Sequence, residues 1–475
     1  MQFADFEEKF SMKILLLLPD GVGVRNFVYT DFIDKTLAAG HEITLWAEKD
    51  ILSLVDDKRV FKLTLPEQPA TNALIEIRRK AWSVGLLKWQ ARIFNDPSYL
   101  DYIFTQKPDT IAKFSKFLAE KFTLITHKNR KSLYRLRKKY LRNMKTIPYY
   151  RACLAQLRKI RPDFVFCASQ RSSKAIAPVL AARELKIPNS SFIYSWDNLP
   201  KASLYVKADN YFVWSEQMKD DLLKYYPDVK AERIHITGTP QFVPYFDDSI
   251  KMSRNKFAER YKLPLNNKWI CFSGDDVTTS PYDQVYLSHL ANAVSLWNYS
   301  QTEKLHILFR RCPVDLSNRY DNTLTKFPDI ITEVSPVWGT LNPDAGWNQI
   351  VPKIEDMQLL VNTVLHCEAV INLGSTMAHD FSILGKPALY INYNTYNKQN
   401  WDIYKIYKYS HFITMEGLNP VIWVNSEDHW QDCLMKALYD SGKVVEDCQK
   451  WHKKVALFPL EDANSRLLKA MEELA

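Results

Sequence analysis

Residues 369–392 read AVINLGSTMAHDFSILGKPALYIN. An apolar run ends in Gly374-Ser375-Thr376, an amphipathic stretch continues to Gly385, and a second apolar run follows. This order predicts a strand, a glycine turn, a helix and a further parallel strand, which is the repeating unit of a doubly wound α/β domain. Because the helix begins directly after the turn, unpaired backbone N–H groups and the positive end of the helix dipole coincide there. The turn therefore predicts an anion site that suits a diphosphate.

The side chains of this segment leave two interpretations open. Gly374 allows the backbone to approach a ligand closely, and Ser375 and Thr376 offer hydroxyl donors, but Ser375 is equally typical of a residue that only caps a helix. Asp380 and its neighbour His379 lie one turn into the helix, where either is within reach of a ribose or takes a solvated or locally paired role.

The same strand and helix alternation extends along the chain in both directions. Apolar runs at 14–18, 42–46 and 163–169 are separated by helical patterns, one of them the amphipathic stretch 25–39 that Gly40 ends. Two prolines interrupt the pattern in TGTPQFVPYFDDS, 237–249, and a new cycle of strands starts at 269–274 and 304–310. The segment 237–249 is therefore interpreted as an interdomain linker.

The predicted fold class is α/β, with two Rossmann-like domains that face a cleft. Residues 12–245 form the first domain, with a helical insertion at about 73–150, and residues 260–450 form the second. Residues 451–475 are expected to form a C-terminal helix that packs back on the first domain. Ligands of such sheets bind at the carboxyl ends of the strands, so the cleft is the expected place of the chemistry.

Composition restricts the class of protein. A chain of 475 residues with 46% hydrophobic residues can bury the cores of two domains. The apolar run at 14–18 is far shorter than the roughly 20 residues of a membrane span, and the acidic residues before it are unlike a signal peptide. Seven scattered cysteines without a Cys-x-x-Cys pair indicate reduced thiols. A cytoplasmic location is expected.

The positive charge of the chain is concentrated in residues 78–145. This segment has 18 Lys or Arg against 4 Asp or Glu, although the whole chain carries a net charge of only +9. Trp82, Leu86, Trp89 and Ile93 recur there at helical spacing and predict a basic amphipathic helix. Its apolar side either packs on the protein or lies on an anionic membrane surface, which would make the chain peripheral at the inner membrane. Nucleic acid is the least favoured partner.

Candidate donor-binding residues of the second domain follow two strands. Arg310 and Arg311 in LFRRCPVD offer permanently charged donors that match phosphate oxygens, or form a salt-bridged strand end. Gly274 lies in SGDDVTTS directly after a predicted strand. Adjacent acids in this loop point in different directions and have no third hard ligand nearby, so no metal is expected.

Candidate residues of the first domain follow its predicted strands. In LPDGVGVRN, Gly21 and Gly23 form only part of a dinucleotide fingerprint, and Arg25 belongs to the same acceptor-side loop. Asp20 at the end of the first strand is a candidate general base, or a turn-forming residue before glycine. A second candidate base is Asp197 in YSWDNLPK, next to Trp196, which either stacks on a sugar or belongs to the core.

Three segments together resemble a known family. LAAGHEITLWA, YSWDNL with YFVWSEQMKDDLLKYYP and ITGTPQF, and VINLGSTMAHDFSILGKPALYINYN are similar to GT-B bacterial surface-polysaccharide glycosyltransferases of the UDP-glycosyltransferase and glycogen-phosphorylase superfold. The resemblance covers residues 13 to about 458. It implies a nucleotide-diphosphate sugar as donor, a saccharide or lipid-linked acceptor, and neither a cofactor nor a metal.

Two sequence differences from related families bear on the type of reaction that is expected. Epimerases and polyol-phosphate transferases of this superfold usually have Arg-Pro-His-Pro where this chain has Arg310-Arg311-Cys312-Pro313. The two glutamates of retaining enzymes are absent from NLGSTMAHDF, which favours inversion. The alternatives are a nucleotide-sugar epimerase or hydrolase of the same fold, and a non-catalytic scaffold of polysaccharide assembly. The residues that select the base of the nucleotide are expected near 337–341.

Overall fold

The computed structural model describes residues 11–68, 72–103, 111–340, 350–395 and 401–475. Its chain divides into two compact units. The first comprises residues up to Gln241 together with Leu457–Ala475, and the second comprises Phe242–Ala456. The boundary at 241/242 falls inside the proline-containing segment that the sequence marks as a linker. The second unit is continuous in sequence and the first is not.

Seven parallel strands form the sheet of the first domain, in the order β3-β2-β1-β4-β5-β6-β7. Leu17 of β1 pairs with Trp46 of β2 on one side and with Cys167 of β4 on the other. The central strands are buried along nearly their whole length, as expected of a parallel sheet covered by helices on both faces. The strands are β1 (Lys13–Leu18), β2 (Glu42–Ala47), β3 (Phe61–Thr64), β4 (Phe164–Cys167), β5 (Asn189–Phe192), β6 (Asn210–Val213) and β7 (Ile234–Ile236).

Nine helices precede the domain boundary in the described part of the chain. They are α1 (Gly21–Phe27), α2 (Phe32–Ala38), α3 (Lys49–Ser53), α4 (Ala73–Ile93), α5 (Ile111–Thr126), α6 (Arg130–Met144), α7 (Pro148–Ile160), α8 (Ile176–Glu184) and α9 (Glu216–Tyr225). Short 3-10 helices connect some of them, at Pro97–Tyr102, Ser173–Ala175, Leu199–Lys201 and Ala231–Arg233.

The single helix predicted over 25–39 is wrong, because the structure has α1 and α2 in its place. The break falls at 28–31, where the Thr30 hydroxyl donates to the Asn26 carbonyl at 2.8 Å. A hydroxyl that bonds to the backbone four residues earlier competes with continuation of the helix. Gly40 ends α2 as expected, with a φ of +89° that glycine adopts without strain.

The helical insertion is present, but α4 is not the amphipathic helix that the sequence predicts. Residues 81–87 of α4 are all buried, so the protein covers every face of its middle. Trp82 and Leu86 are buried with them, whereas Ile93 at the end of the helix is 56% exposed. The apolar spacing in this segment therefore reflects a core helix, and the packing interpretation describes most of it.

Six parallel strands form the sheet of the second domain, in the order β10-β9-β8-β13-β14-β15, and β11 and β12 form a separate antiparallel pair. The strands are β8 (Lys268–Ser273), β9 (Leu305–Arg310), β10 (Ile331–Glu333), β11 (Trp338–Thr340), β12 (Ile350–Pro352), β13 (Cys367–Asn372), β14 (Ala388–Ile391) and β15 (Ile422–Val424). The helices are α10 (Arg254–Tyr261), α11 (Asp283–Ser300), α12 (Asp321–Lys326), α13 (Ile354–His366), α14 (Met377–Ile383), α15 (Trp430–Tyr439) and α16 (Gly442–Val455).

The last helix, α17 (Ala463–Glu472), belongs to the first domain. Asn464 at its start donates hydrogen bonds to the Thr30 hydroxyl at 3.0 Å and to the Asp31 carboxylate at 2.6 Å. Arg466 donates to the Thr237 carbonyl at 2.9 Å. These contacts join the C-terminal segment to elements made more than 200 residues earlier in the chain. No helix among the described ranges is long and apolar enough to cross a membrane.

Candidate functional site

The carboxyl edge of the first sheet places Asp20 directly after β1. Asp20 is the N-cap of α1, where its carboxylate accepts a hydrogen bond from the Gly23 amide at 3.3 Å. The residue is only 5% exposed. Burial raises the pKa of Asp20, and the Ser169 hydroxyl, the amides of Gly23 and Val22, and the charge of Arg171 oppose that shift. A buried carboxyl with a raised pKa is the kind of group that exchanges protons nearer to neutral pH.

Gly23 holds this end of α1 against the sheet. A Cβ atom at Gly23 would lie 2.8 Å from the Ala168 Cβ and 3.1 Å from a Leu18 methyl group. Gly23 thus allows α1 to pack closely on Leu18 at the end of β1 and on Ala168 just after β4. Arg25, on the same helix, donates to the Asn26 side chain at 3.1 Å and to Gln241 at 3.0 Å.

Sequence reasoning missed two residues beside Asp20. Arg171 follows β4 and Tyr194 follows β5, and the Arg171 guanidinium carbon lies 5.5 Å from the centre of the Tyr194 ring. Burial raises the pKa of Tyr194, the charge of Arg171 opposes this, and the charges of Asp20 and Asp197 add to it. The available signal was position, because Arg171 lies four residues after β4 and Tyr194 two residues after β5, and the carboxyl ends of both strands lie at the Asp20 edge.

The sequence suggested that Asp197 directly follows a strand. In the structure it does not, because β5 ends at Phe192. Its carboxylate accepts from the Ser195 hydroxyl at 2.5 Å and the Asn198 amide at 2.8 Å, and it forms an ion pair with Lys201. Trp196 beside it is 5% exposed. Asp197 is therefore engaged by neighbours within four residues, and Trp196 belongs to the core.

The turn after β13 has the backbone that its glycine predicts. Gly374 has a φ of +77°, and a Cβ atom there would lie 2.9 Å from the Phe412 ring. The Ser375 amide is already occupied, because it donates to the Asn372 side chain at 2.9 Å. The Ser375 hydroxyl accepts from the Met377 amide at 3.4 Å, and α14 is only seven residues long. The turn thus offers fewer open amides than expected, and Ser375 and Thr376 are both half-buried there.

The polar residues of α14 are packed inside the second domain. Asp380 is 3% exposed and accepts a hydrogen bond from the Tyr245 hydroxyl at 2.9 Å. His379 is fully buried with its ring centre 4.2 Å from that of Trp451, and burial lowers its pKa well below the usual value. Of the roles considered from the sequence, the locally paired one describes Asp380.

Both arginines at the end of β9 form ion pairs. Arg310 Nη2 donates to the two carboxylate oxygens of Asp356 at 3.0 and 2.9 Å. Arg311 Nε donates to Glu333 at 2.7 Å, and its Nη1 donates to the Ser317 carbonyl at 2.6 Å. The salt-bridge interpretation therefore describes both. Arg310 Nη1 is buried, and within the described ranges it has no hydrogen-bond partner.

Asp356 also fixes the segment in which base selection was expected. It accepts from the Val337 amide at 2.9 Å and from the Trp338 indole at 2.7 Å. A carboxylate that receives two backbone or ring donors and an arginine is fully satisfied, so it anchors this segment firmly. Leu341 at the end of the segment lies outside the described residues.

The loop after β8 brings two carboxyl groups to the same edge. Asp283 accepts from the Asp275 amide at 2.6 Å, the Ser280 hydroxyl at 2.6 Å and the Tyr320 hydroxyl at 3.2 Å. Burial raises the pKa of Asp283 to about 6. Burial and the charges of Asp283 and Asp276 raise the pKa of Asp275 well above its usual value, and the Leu373 amide opposes this. Asp275 thus lies beside the Gly374 turn as a carboxyl that holds its proton more tightly than an exposed one does.

Gly274 lies at the base of this loop. A Cβ atom there would lie 3.0 Å from the Tyr320 hydroxyl and 3.4 Å from the Asp283 carboxylate, so the glycine makes room for the Asp283 cluster. Within the described ranges, no group of three or more His, Cys, Asp or Glu side chains is arranged to hold a metal ion.

Comparison with known proteins identifies the fold. No protein-family model matches the chain, and no curated protein sequence does. A Listeria monocytogenes structure assigned as a UDP-N-acetylglucosamine 2-epimerase superposes with a TM-score of 0.54 at 11% identity, over 98% of this chain and 96% of that one. A glycosyltransferase from Rickettsia africae ESF-5 gives 0.51 at 12% identity, over 98% of each chain. Anabaena Alr3699/HepE in complex with UDP and glucose gives 0.51 at 11% identity, over 98% and 100%. The two Rossmann-like domains of this chain are those of the GT-B fold.

Proposed function

We propose that this protein is a glycosyltransferase that moves a sugar from a nucleotide-diphosphate donor to a hydroxyl of a saccharide or lipid-linked acceptor in surface polysaccharide biosynthesis. The observation that carries the proposal is Asp20, a buried carboxyl with a raised pKa at the carboxyl end of β1. The fold supports it, because solved proteins that share the fold include a glycosyltransferase and a complex with UDP and glucose.

In the proposed reaction, the Asp20 carboxylate takes the proton of the acceptor hydroxyl. The acceptor oxygen then forms a bond to the anomeric carbon of the donor sugar, and the bond from that carbon to the diphosphate breaks. The nucleoside diphosphate leaves with the bonding electrons. A single displacement of this kind inverts the anomeric configuration, and it uses neither a metal nor a cofactor beyond the donor substrate.

On the donor side, we assign the Gly374-Ser375-Thr376 turn to the diphosphate. Its two hydroxyls are half-buried at the end of β13, and burial raises the pKa of the adjacent Asp275, whose protonated form would donate a hydrogen bond to a diphosphate oxygen. Arg310 and Arg311 then act indirectly, since their ion pairs fix the loops after β9 and β10. Donors that are held rigidly before the reaction stabilise developing charge best.

A second candidate function is epimerisation of a nucleotide sugar, because UDP-N-acetylglucosamine 2-epimerases recur among the structural matches. One residue argues against it. Cys312 stands where such enzymes usually have histidine, and burial raises the pKa of its thiol. A buried protonated thiol does not replace an imidazole in proton transfer near neutral pH.

Product analysis distinguishes the candidates. The purified protein is first screened for thermal stabilisation by uridine, guanosine, cytidine and thymidine diphosphates and their sugars, since a ligand at 100 times its Kd stabilises by about 2.7 kcal/mol. The stabilising sugar nucleotide is then incubated with and without saccharide and lipid-linked acceptors. We expect release of the nucleoside diphosphate and transfer only with an acceptor. A new sugar nucleotide formed without acceptor would instead support the epimerase, and no stabilisation by any nucleotide would support a non-catalytic scaffold.

A further inference from the structure

A cavity of about 410 Å³ lies within the first domain, between α4, α6 and the end of α9. This volume is within the range of about 300 to 1,000 Å³ that is usual for sites of small ligands. None of its lining residues belongs to the Asp20 edge or to the donor turn. The lining residues are Trp82, Leu86, Trp89, Arg130, Lys131, Leu133, Tyr134, Arg137, Tyr225, Tyr226, Pro227 and Asp228.

The inner wall of the cavity is apolar. Trp82, Leu86 and Leu133 are 3%, 7% and 2% exposed. The hydroxyl of Tyr225 is hydrogen-bonded to Tyr99 at 2.9 Å, and that of Tyr226 donates to the Leu199 carbonyl at 3.0 Å. Because these hydroxyls are engaged in the protein, both tyrosines present ring carbons to the cavity. Such a wall suits hydrocarbon and offers little to sugar hydroxyls.

The cavity also has an excess of positive charge. Arg130 and Lys131 are exposed at its rim, and the single lining carboxylate, Asp228, is paired with Arg137 at 3.2 Å. Arg137 is only 3% exposed, and its guanidinium carbon lies 5.0 Å from the centre of the Trp82 ring. Its Nη2 donates to the Leu204 carbonyl at 2.8 Å. Although Arg130 Nη2 donates to the Pro227 carbonyl at 3.2 Å, three lining cations against one carboxylate give the cavity a positive charge that an anion would balance.

We propose that this cavity binds an anionic amphiphile, with a hydrocarbon chain against the aromatic wall and a phosphate head group at Arg130, Lys131 and Arg137. The apolar wall favours the chain, and the cations favour phosphate, which accepts several charge-assisted hydrogen bonds. The aromatic wall offers few hydrogen-bond acceptors to the hydroxyls of a free sugar nucleotide. The proposal concerns binding alone, so it stands or fails independently of sugar transfer.

Titration calorimetry with dodecyl phosphate, below its critical micelle concentration, tests the proposal on the full chain. We expect one molecule bound per protein, and an affinity that rises by up to about fourfold for each methylene from butyl to dodecyl phosphate. Arg130→Ala with Lys131→Ala should weaken binding by about tenfold or more. The matched control, Arg135→Ala with Lys139→Ala, removes the same charge from exposed positions of α6 that do not line the cavity, and should stay within about twofold of wild type.

Several results would overturn the proposal in protein of wild-type circular dichroism and Tm. Equal losses in both double variants would mean a general charge effect. A loss confined to Lys88→Ala with Lys121→Ala would place the ligand in the neighbouring cavity of about 310 Å³ that these lysines line. Equal binding of inorganic phosphate would exclude a role for the chain, and equal binding of neutral dodecyl maltoside would exclude a role for the cations. Binding to phosphatidylglycerol vesicles without binding of the monomeric amphiphile would indicate a membrane surface instead.

Discussion

At the carboxyl edge of the first sheet, Asp20 is buried against backbone amides, and it has no ion-pair partner among the described residues. At the same edge of the second sheet, Arg310 and Arg311 are each held by a carboxylate, Asp356 and Glu333. Both edges lie where a doubly wound sheet binds ligands. The difference is that ion pairs fix the loops at the second edge, whereas burial and hydrogen bonds without an ion pair set the state of the carboxyl at the first.

The largest expected effect concerns the unpaired carboxyl. In the proposed transferase, Asp20→Asn should lower kcat by about 10²- to 10⁴-fold with little change in donor affinity, because the amide cannot take the acceptor proton. Steady-state kinetics with the acceptor from the product screen measures this. Asp197→Asn, at a carboxylate already paired with Lys201, should cost less. If Asp197→Asn abolishes turnover and Asp20→Asn does not, Asp197 is the general base and Asp20 is not.

The second prediction tests whether the arginines of the second edge are structural. Arg310→Ala leaves the carboxylate of Asp356 buried without its cation, so urea unfolding should show a loss of about 3 to 5 kcal/mol. Arg310→Met combined with Asp356→Leu removes both charges and should recover part of that loss. Arg311→Ala breaks a more exposed pair and should cost less. A stable Arg310→Ala protein that no longer binds any nucleotide would show that the arginine binds ligand directly.

The third prediction concerns the two hydroxyl side chains of the turn after β13. Ser375→Ala with Thr376→Ala should weaken binding of the sugar nucleotide, since each lost hydrogen bond to a charged group costs about 1.5 to 3 kcal/mol. The fold should be retained because the backbone of the turn is unchanged. Calorimetry measures the affinity. Unchanged affinity in a protein of normal stability would reduce Ser375 to a residue that only caps α14.

The fourth prediction separates backbone conformation from packing at the same turn. Gly374 and Gly385 both have positive φ, +77° and +68°, but a Cβ atom would overlap Phe412 only at Gly374. Both alanine variants should lose about 1 to 2 kcal/mol from backbone strain, and Gly374→Ala should lose about 1 to 3 kcal/mol more from overpacking. Equal losses in urea unfolding would show that Phe412 moves aside without cost.

The smallest effect is a dependence on pH at the second edge. Burial raises the pKa of Asp283 to about 6, so the folded state holds this proton more tightly than the unfolded chain, in which the pKa is about 3.9. The stabilising contribution is therefore complete below about pH 4 and is lost as the pH rises through about 6. Between about pH 4 and 6, the unfolding free energy of Asp283→Asn should therefore depend less steeply on pH than that of the wild type. The two slopes should differ by less than about 1.4 kcal/mol per pH unit. An identical slope in both proteins would place the pKa of Asp283 near its usual value.

Local patterns in the sequence predicted most of the architecture. The order β13, turn, α14, β14 follows from two apolar runs and a glycine. Helix α9 begins after Ser215, whose hydroxyl oxygen accepts a hydrogen bond from the Met218 amide. The start of β5 shows no apolar run, because its first three residues, 189–191, are polar and yet fully buried. Burial of polar strand residues depends on tertiary packing, which a local pattern does not record.

The side-chain partners at the candidate sites were harder to predict for the same reason. Arg310 is fixed by a carboxylate 46 residues later, and Arg311 by one 22 residues later. Nothing in LFRRCPVD indicates which acids the fold brings to these arginines. The position of Asp20 after a strand could be predicted from the sequence. Its burial and its neighbour Tyr194 could not, because they depend on the order of the strands in the sheet.

The return of residues 457–475 to the first domain bears on how the protein is made. A ribosome completes the whole of the second domain before it synthesises α17, whose Asn464 and Arg466 bond to Thr30, Asp31 and Thr237. The second domain can fold as soon as its continuous segment has emerged, but the first must wait in an unfinished state with the α17 contact surface of α2 uncovered. We therefore expect a nascent chain arrested before residue 457 to have a protease-resistant second domain and a protease-sensitive first domain.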